Sequence, residues 1–226
     1  MTEPAVLPSA RQETSAGSAL AAAGWAEVSD QLLNGLSFDL EGRVGSLSGL
    51  LRLVEMQAHS RTMGEFVTAE VDRLHEVVGL LAILRRGQTG AEPAAIEPGV
   101  QMPRLLDLIA RVREYEQVRY RLDIDSGASA LGAPDLHARL QLCALSLAGW
   151  ESLARDHRVE IEVRDDAAGV LTRLTTPGDL VDSVERPPAA ACPGGIGELA
   201  RVLGGRTDWI ATPECARLEI RMPAAP

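Results

Sequence analysis

Two residues on predicted helices directly precede an acidic side chain, a pattern that nucleophilic or acid–base chemistry uses. His75 is followed by Glu76, and Phe38 is followed by Asp39. An imidazole nitrogen can attack a phosphoryl group while a neighbouring carboxylate orients the ring and removes its proton. Phe38 has no nitrogen, so this reaction is impossible at that position. His75 is the alternative acceptor that the sequence offers.

The other histidines and the cysteines do not point to a catalytic or metal site. A helical His beside an acid is common by chance, so a solvated surface residue is the competing interpretation of His75. His59 lies at a predicted turn and His157 in a predicted loop, and His137 is predicted early in a helix without a functional role. The three thiols have neither an even count nor paired metal-ligand spacing; they are Cys143, Cys192 and Cys215. We therefore expect reduced cysteines and no metal.

The Phe38-Asp39 pair lies on the first of two predicted helices. Between Ala26 and Ala58 apolar residues recur at spacings of three and four, which is typical of a helix that packs along a bundle. These residues are Leu33, Leu36, Leu40, Val44, Leu47, Leu51 and Val54. A second helix, ending near Arg86, repeats the pattern at Val67, Val71, Leu74, Val78 and Leu81. A two-helix hairpin cannot bury both apolar rows within one chain, so we expect a homodimer with a four-helix bundle.

Phe38 is predicted to lie opposite this apolar row. At 100° per residue, the residues within about 60° of it, here called the Phe38 face, are Gln31, Asn34, Gly35, Glu41, Gly42, Gly45, Gly49 and Arg52. Each glycine inside a helix costs about 1 kcal/mol relative to alanine, so four on one face suggest close approach by another element. That element is either the protein's own second domain or another protein. In the second case the residues from Asn34 to Arg52 bind a partner, with Phe38 as the apolar anchor.

The chain divides into four predicted segments. Residues 1–25 mix Ala, Ser, Gly, Pro and Glu without apolar periodicity, so we expect a disordered tail, with order beginning near Ala26. The helical hairpin occupies residues 26–87, and the Pro- and Gly-containing residues 88–102 form a linker. Residues 103–226 alternate between helical and strand patterns, which predicts a two-layer α/β sandwich. The predicted fold class is α+β.

Within the last segment the periodicity predicts individual elements. The expected helices span residues 103–118, 134–155 and 194–203. The expected strands span residues 120–124, 159–163, 169–175, 207–211 and 216–222.

Composition excludes several classes of function. The net charge of -10 argues against a partner with a phosphate backbone, so we expect no nucleic acid. No apolar run approaches the roughly 20 residues that a membrane-spanning helix requires, and the N-terminus lacks a signal-peptide pattern. We therefore expect a cytoplasmic protein without a membrane partner.

Three sequence segments resemble a known family. They are LSFDLEGRVGSLSGLLRL at 36–53, LSLAGWESLARDHRVEIEV at 145–163 and IGELARVLGG at 196–205. In these segments and in the order of its parts, the chain is similar to the ChpT-type bacterial histidine phosphotransferases and, more broadly, to sensor histidine kinases without a sensor. The resemblance implies a dimeric helical hairpin followed by a Bergerat-like, ATPase-like sandwich. It places Phe38 at the phosphoacceptor position and Asp39 at its acidic neighbour, and it implies a response-regulator receiver domain or a histidine kinase as the partner.

The residues that kinases of this superfamily use for ATP are missing. These kinases hold magnesium with an Asn-bearing helix and recognise adenine with an Asp-x-Gly-x-Gly segment. The corresponding helix, ALSLAGWE at 144–151, has no Asn, and Asp-x-Gly-x-Gly does not occur in the chain. The run GGIG at 194–197 could cradle a phosphate, although a plain loop is the simpler interpretation. We therefore expect no cofactor and no kinase activity.

Three functions follow from these observations. The first is a catalytically degenerate phosphotransferase-like protein that binds a receiver domain or a kinase. The second is an active phosphotransferase that uses His75. The third is a dimeric scaffold unrelated to phosphorelay.

Overall fold

The computed structural model of the protein describes residues 10–55, 61–86, 94–112, 115–180 and 193–225. Two long helices, α1 (Ala10–Glu55) and α2 (Arg61–Arg86), form the predicted hairpin. An ion pair between Arg43 on α1 and Glu70 on α2, 3.5 Å from nitrogen to oxygen, lies between the two helices. No helix in these ranges combines the length and apolarity needed to cross a membrane.

A unit of three helices and two sheets follows the hairpin and is called the second unit below. Its elements are β1 (Ala94–Ile96), α3 (Pro98–Ile109), β2 (Arg119–Ile124), β3 (Ala130–Gly132), α4 (Pro134–Leu153), β4 (Arg158–Asp166), β5 (Gly169–Pro177), α5 (Pro193–Val202), β6 (Arg206–Ala211) and β7 (Cys215–Met222). The α+β class is confirmed, as are the predicted helices at α4 and α5 and the five predicted strands. The dimeric bundle stays a prediction.

The larger sheet has the order β2-β4-β5-β7-β6. β2 and β4 are parallel, and the chain between them passes through α4, as a parallel pair requires a crossover. The other neighbours are antiparallel. β1 and β3 form a separate antiparallel pair. The sequence did not predict these two strands, because three residues are too few to display a period.

One face of the large sheet is apolar and the other is charged. Along β7 every second residue, from Ala216 to Met222, is buried. On the opposite face Arg173 of β5 donates to Glu162 of β4 at 2.6 Å and to Glu219 of β7 at 2.9 Å. The alternation follows from the two-residue period of a strand. The helices therefore cover the apolar face and the ion pairs remain at the solvent side.

Helix α4 forms the centre of the core. Most of its side chains are buried, including Leu140, Leu142, Leu145 and Leu147, because the sheet, α1, α3 and α5 all pack against it. A helix that is apolar on every side is typical of a fully enclosed position.

The first half of α1 belongs to this core as well. α1 begins at Ala10, so residues 10–25, which the sequence assigned to the disordered tail, lie in the helix. Val28, Leu32 and Leu36 are buried in one cluster with the residues of α3, α4 and the sheet. The Ala-rich stretch before Ala26 has high helix propensity but few large apolar side chains, so its period was not visible in the sequence. Leu36, predicted in the dimer row, is instead buried within its own chain.

The predicted linker also differs from the structure. Residues 87–93 lie outside the described ranges, but residues 94–102 contain β1 and the first turns of α3. α3 starts at Pro98 and ends at Ile109, whereas the sequence predicted a helix from Pro103 to Val118. Proline is favoured in the first turn of a helix, and Pro98 occupies that position while Pro103 lies inside the helix. The helix therefore begins at Pro98, five residues before the predicted start.

Candidate docking face on helix α1

Phe38 lies on the solvent side of α1. Its side chain is 79% exposed, the largest value among the exposed large apolar residues of the described ranges. The surrounding residues Asn34, Glu41, Gly42, Gly45, Gly49 and Arg52 are also exposed, while Gln31 is half-buried. The outward orientation expected from the helical projection is therefore present.

The four glycines of the Phe38 face have two different environments. A Cβ atom added at Gly42, Gly45 or Gly49 would meet no atom within 4 Å. At Gly35 the same atom would lie 2.5 Å from the backbone oxygen of Arg111, which follows α3. Packing against the second unit therefore explains Gly35, and the other three glycines form an open strip of helix backbone.

Asp39, next to Phe38, is held by two guanidinium groups. Its Oδ1 lies 3.1 Å from Nε of Arg43, one turn further along α1. Its Oδ2 accepts a hydrogen bond from Nη1 of Arg111. Arg43 also contacts Glu70 of α2, and Glu70 pairs with Arg73 at 3.0 Å. A chain of alternating charges thus joins the second unit, α1 and α2 at the level of Phe38.

Burial shifts the pKa of one member of this row of charges. Desolvation lowers the pKa of Arg111 from its ordinary value, because burial disfavours a charged group. Arginine nevertheless stays charged in proteins, and Asp39 faces it as an ion-pair partner. The pair is therefore ionic.

A second apolar surface lies elsewhere on the hairpin. Its exposed members are Leu33, Val44 and Leu51 on α1 and Val71 and Val78 on α2. The α1 members lie roughly 130° around the helix from Phe38 at 100° per residue. The hairpin therefore presents two distinct surfaces to solvent.

The described histidines occupy three different environments. His75 is exposed on α2, and His157 is half-buried in a turn with a positive φ of 52°. His137 is buried, and its Nδ1 lies 2.7 Å from Oε1 of Gln101. Burial lowers the pKa of His137 to about 4. The sequence predicted no role for His137, and it serves here as a core residue; His59 lies outside the described residues.

The helix segment that the resemblance assigns to magnesium binding is buried. The residues from Ala144 to Gly149 on α4 are all buried. Residues 194–197 belong to the first turns of α5 and not to a loop, and a Cβ at Gly197 would lie 3.2 Å from Oγ1 of Thr207 on β6. Within the described ranges no group of three or more His, Cys, Asp or Glu side chains could hold a metal ion.

Arg111 and the start of α1 are the participants that sequence reasoning missed. Asp39 and Arg111 are 72 positions apart, so no local pattern connects them. The same holds for Trp25 on α1, whose ring centre lies 4.9 Å from the guanidinium carbon of Arg139 on α4. This cation–π contact is further evidence that α1 and the second unit share one core.

Solved structures of known proteins are similar to this chain, at low sequence identity. No protein-family model matches the chain, and no curated protein matches its sequence. Among solved structures it is similar to the Acinetobacter baumannii histidine kinase AdeS, with a TM-score of 0.48 and 12% identity over 83% of this chain and 98% of that one. It is also similar to a structure described as a bacterial phosphotransferase, with a TM-score of 0.45 and 13% identity over 87% and 96%. The ATP-binding domain of PrrB from Mycobacterium tuberculosis gives a TM-score of 0.45 and 17% identity over 59% and 98%.

Proposed function

We propose that this protein is a catalytically degenerate relative of the histidine phosphotransferases that binds a receiver domain, or the histidine kinase that phosphorylates one, through the Phe38 face. The observation that carries the proposal is the 79% exposure of Phe38 beside open glycines. An exposed aromatic ring on a helix is available as the anchor of a small protein interface. The sequence resemblance assigns the phosphoacceptor to this same position.

The glycine strip is consistent with a helix-shaped partner surface. Without Cβ atoms at Gly42, Gly45 and Gly49, another backbone could approach α1 closely, with Phe38 at one end of the contact. Glu41 and Arg52 are exposed on the same face and would form its polar rim. An aromatic anchor with a polar rim is a common composition of a small protein interface.

The docking proposal is tested with purified receiver domains and kinase hairpins from the source organism. Phe38→Ala should weaken the complex by about 2 kcal/mol, which is roughly a 30-fold rise in Kd. Phe66→Ala is the matched control, because Phe66 is also exposed, at 60%, but lies on α2. Gly45→Ala provides a second test, since an added methyl group should weaken binding while favouring the helix. Equal affinity of the wild-type protein and Phe38→Ala for every partner that binds would refute the proposal.

The second surface of the hairpin supports a homodimer. The five apolar side chains of this second surface are exposed in the described part of the chain, and a second copy packed against them would complete a four-helix bundle. Leu47→Glu combined with Val71→Glu should dissociate the dimer, because the new charges would be buried between the apolar rows of the two copies. Light scattering measures the outcome, and an intact, folded dimer in this variant would contradict the bundle.

Phosphotransfer through His75 is the competing function, and its exposure beside Glu76 on α2 keeps it open. It predicts an acid-labile phosphate on the protein after incubation with a phosphorylated receiver. The phosphate should then disappear in His75→Ala and persist in Phe38→Ala. We expect no labelling in either variant or in the wild type.

A further inference from the structure

The contact between α1 and the segment after α3 has two components that meet within one helical turn. The backbone of Arg111 packs against Gly35, and the side chain of Arg111 pairs with Asp39. We propose that Gly35, Asp39 and Arg111 form a joint that fixes the second unit against α1 in one register. This inference goes beyond partner binding and does not depend on it.

The steric component is specific to glycine. A Cβ at Gly35 would stand 2.5 Å from the carbonyl oxygen, 3.0 Å from the carbonyl carbon of Arg111 and 3.3 Å from the nitrogen of Val112. All three are backbone atoms, so no side-chain rotation can relieve the overlap. Alanine at this position would have to push the end of α3 away from α1.

The ionic component occupies Asp39 on both sides. One carboxylate oxygen faces Arg43 and the other accepts from Arg111, and all three side chains are about three-quarters or more buried. The carboxylate therefore links α1 to the segment that follows α3. It is not available to orient a side chain at position 38, which is the role that the resemblance implies for this position.

The joint also lies at the edge of the shared core. Leu32 and Leu36, on the same helix, are buried in one apolar cluster with Val112, which follows Arg111 in the second unit. Apolar burial supplies attraction without direction, whereas the glycine contact and the ion pair define one register. A partner on the Phe38 face would therefore meet α1 and the second unit in a preset arrangement.

The steric component is tested by one substitution at two glycines of the same helix. Gly42→Ala meets open space and should raise Tm by about 2–4 °C, since alanine is the better helix former. Gly35→Ala should instead lower Tm and accelerate hydrogen–deuterium exchange of the backbone amides in residues 98–112 by about tenfold or more. If Gly35→Ala stabilises the protein as Gly42→Ala does, the joint does not exist.

The ionic component is tested by a double-mutant cycle with the same exchange readout. Asp39→Asn and Arg111→Gln should each accelerate exchange of residues 98–112 about three- to tenfold, and the double variant should be little faster than either single one. Arg111→Lys should recover part of the protection because it restores the charge. Arg201→Gln, which removes an exposed ion pair with Glu198 on α5, is the matched control and should change nothing in this segment. Additive effects of the two single variants, or no effect of either, would overturn the proposal.

Discussion

The Nδ1 atom of His137 on α4 lies 2.7 Å from the Oε1 atom of Gln101 on α3, and the imidazole is 1% exposed. Burial lowers the pKa of His137 from 6.5 to about 4, because an enclosed ring is costly to charge. In the unfolded chain the ring takes up a proton near pH 6.5, but in the folded chain it resists protonation until about pH 4. The stability that this histidine contributes is therefore present above pH 6.5 and is lost as the pH falls towards 4. The loss should reach about 3 kcal/mol.

Urea unfolding at pH 7.0 and pH 4.5 measures this effect. Replacing the ring in His137→Gln should remove the pH-dependent component, although the variant will be less stable at neutral pH. His75→Gln, on the exposed surface of α2, is the control and should retain the pH dependence of the wild type. A His137→Gln variant with an unchanged pH dependence would show that other groups cause it.

Gln141 is a buried side chain whose removal should stabilise the protein. It is fully buried on α4, and among the described residues neither its amide nitrogen nor its amide oxygen has a hydrogen-bond partner. An unsatisfied buried amide costs about 1–3 kcal/mol. Gln141→Met keeps the unbranched shape and removes both polar atoms, so we expect the free energy of unfolding to rise by about that amount. Gln117→Met, at an exposed position, should change it by less than about 0.5 kcal/mol.

The sequence predicted those elements whose own period is strong. The strands alternate between buried and half-buried residues near Ile161, Leu174 and Leu218, and α1 has a clear apolar row after Ala26. The same helical period correctly placed Phe38 on the outside. These features depend on residues close together in the chain, so they can be recognised without the fold.

The features that the sequence did not predict depend on contacts between distant segments. Gly35 was grouped with three other glycines by spacing, but only the fold brings Arg111 to it. Trp25 and Val28 anchor the start of α1 to the second unit in the fold. The alanines before them do not define an apolar face, so the sequence gives no local pattern for this part of the helix. The identity of a partner depends on a second surface that is not encoded in this chain, and the binding measurements proposed above address it directly.

Arg155 should be among the most destabilising positions to change. Its side chain is buried after α4, and its guanidinium donates to the carbonyl oxygens of Gly178 at 2.6 Å, Thr212 at 2.9 Å and Pro213 at 2.9 Å. Arg155→Met would remove a buried donor from all three carbonyl groups, of which that of Pro213 keeps the amide of Leu180 at 3.0 Å, with an expected loss of about 3–5 kcal/mol. Thermal or urea unfolding gives the value.

One further variant and one further measurement separate the role of Arg155 from a general effect of losing charge. Arg158→Met removes a half-exposed arginine paired with Glu160 at 3.5 Å and should cost less than about 1 kcal/mol. Glu151, whose pKa is raised by burial, lies 3.9 Å from Arg155, whose charge opposes that rise. The carboxyl of Glu151 should therefore titrate at a higher pH in Arg155→Met than in the wild type, which carboxyl-selective NMR would detect.

The last prediction concerns nucleotide. Magnesium prefers oxygen ligands, but the α4 segment at 144–151 has no Asn and is buried from Ala144 to Gly149. We expect isothermal titration of the folded protein with Mg-ATP to give no heat of binding. Introducing one Asn at Ala148 should not create binding either, because the side chain would face a packed core, and the variant should lose stability instead. A micromolar Kd for the wild-type protein would mean that the ATPase-like unit binds nucleotide through another surface and that the proposed loss of kinase activity needs a different cause.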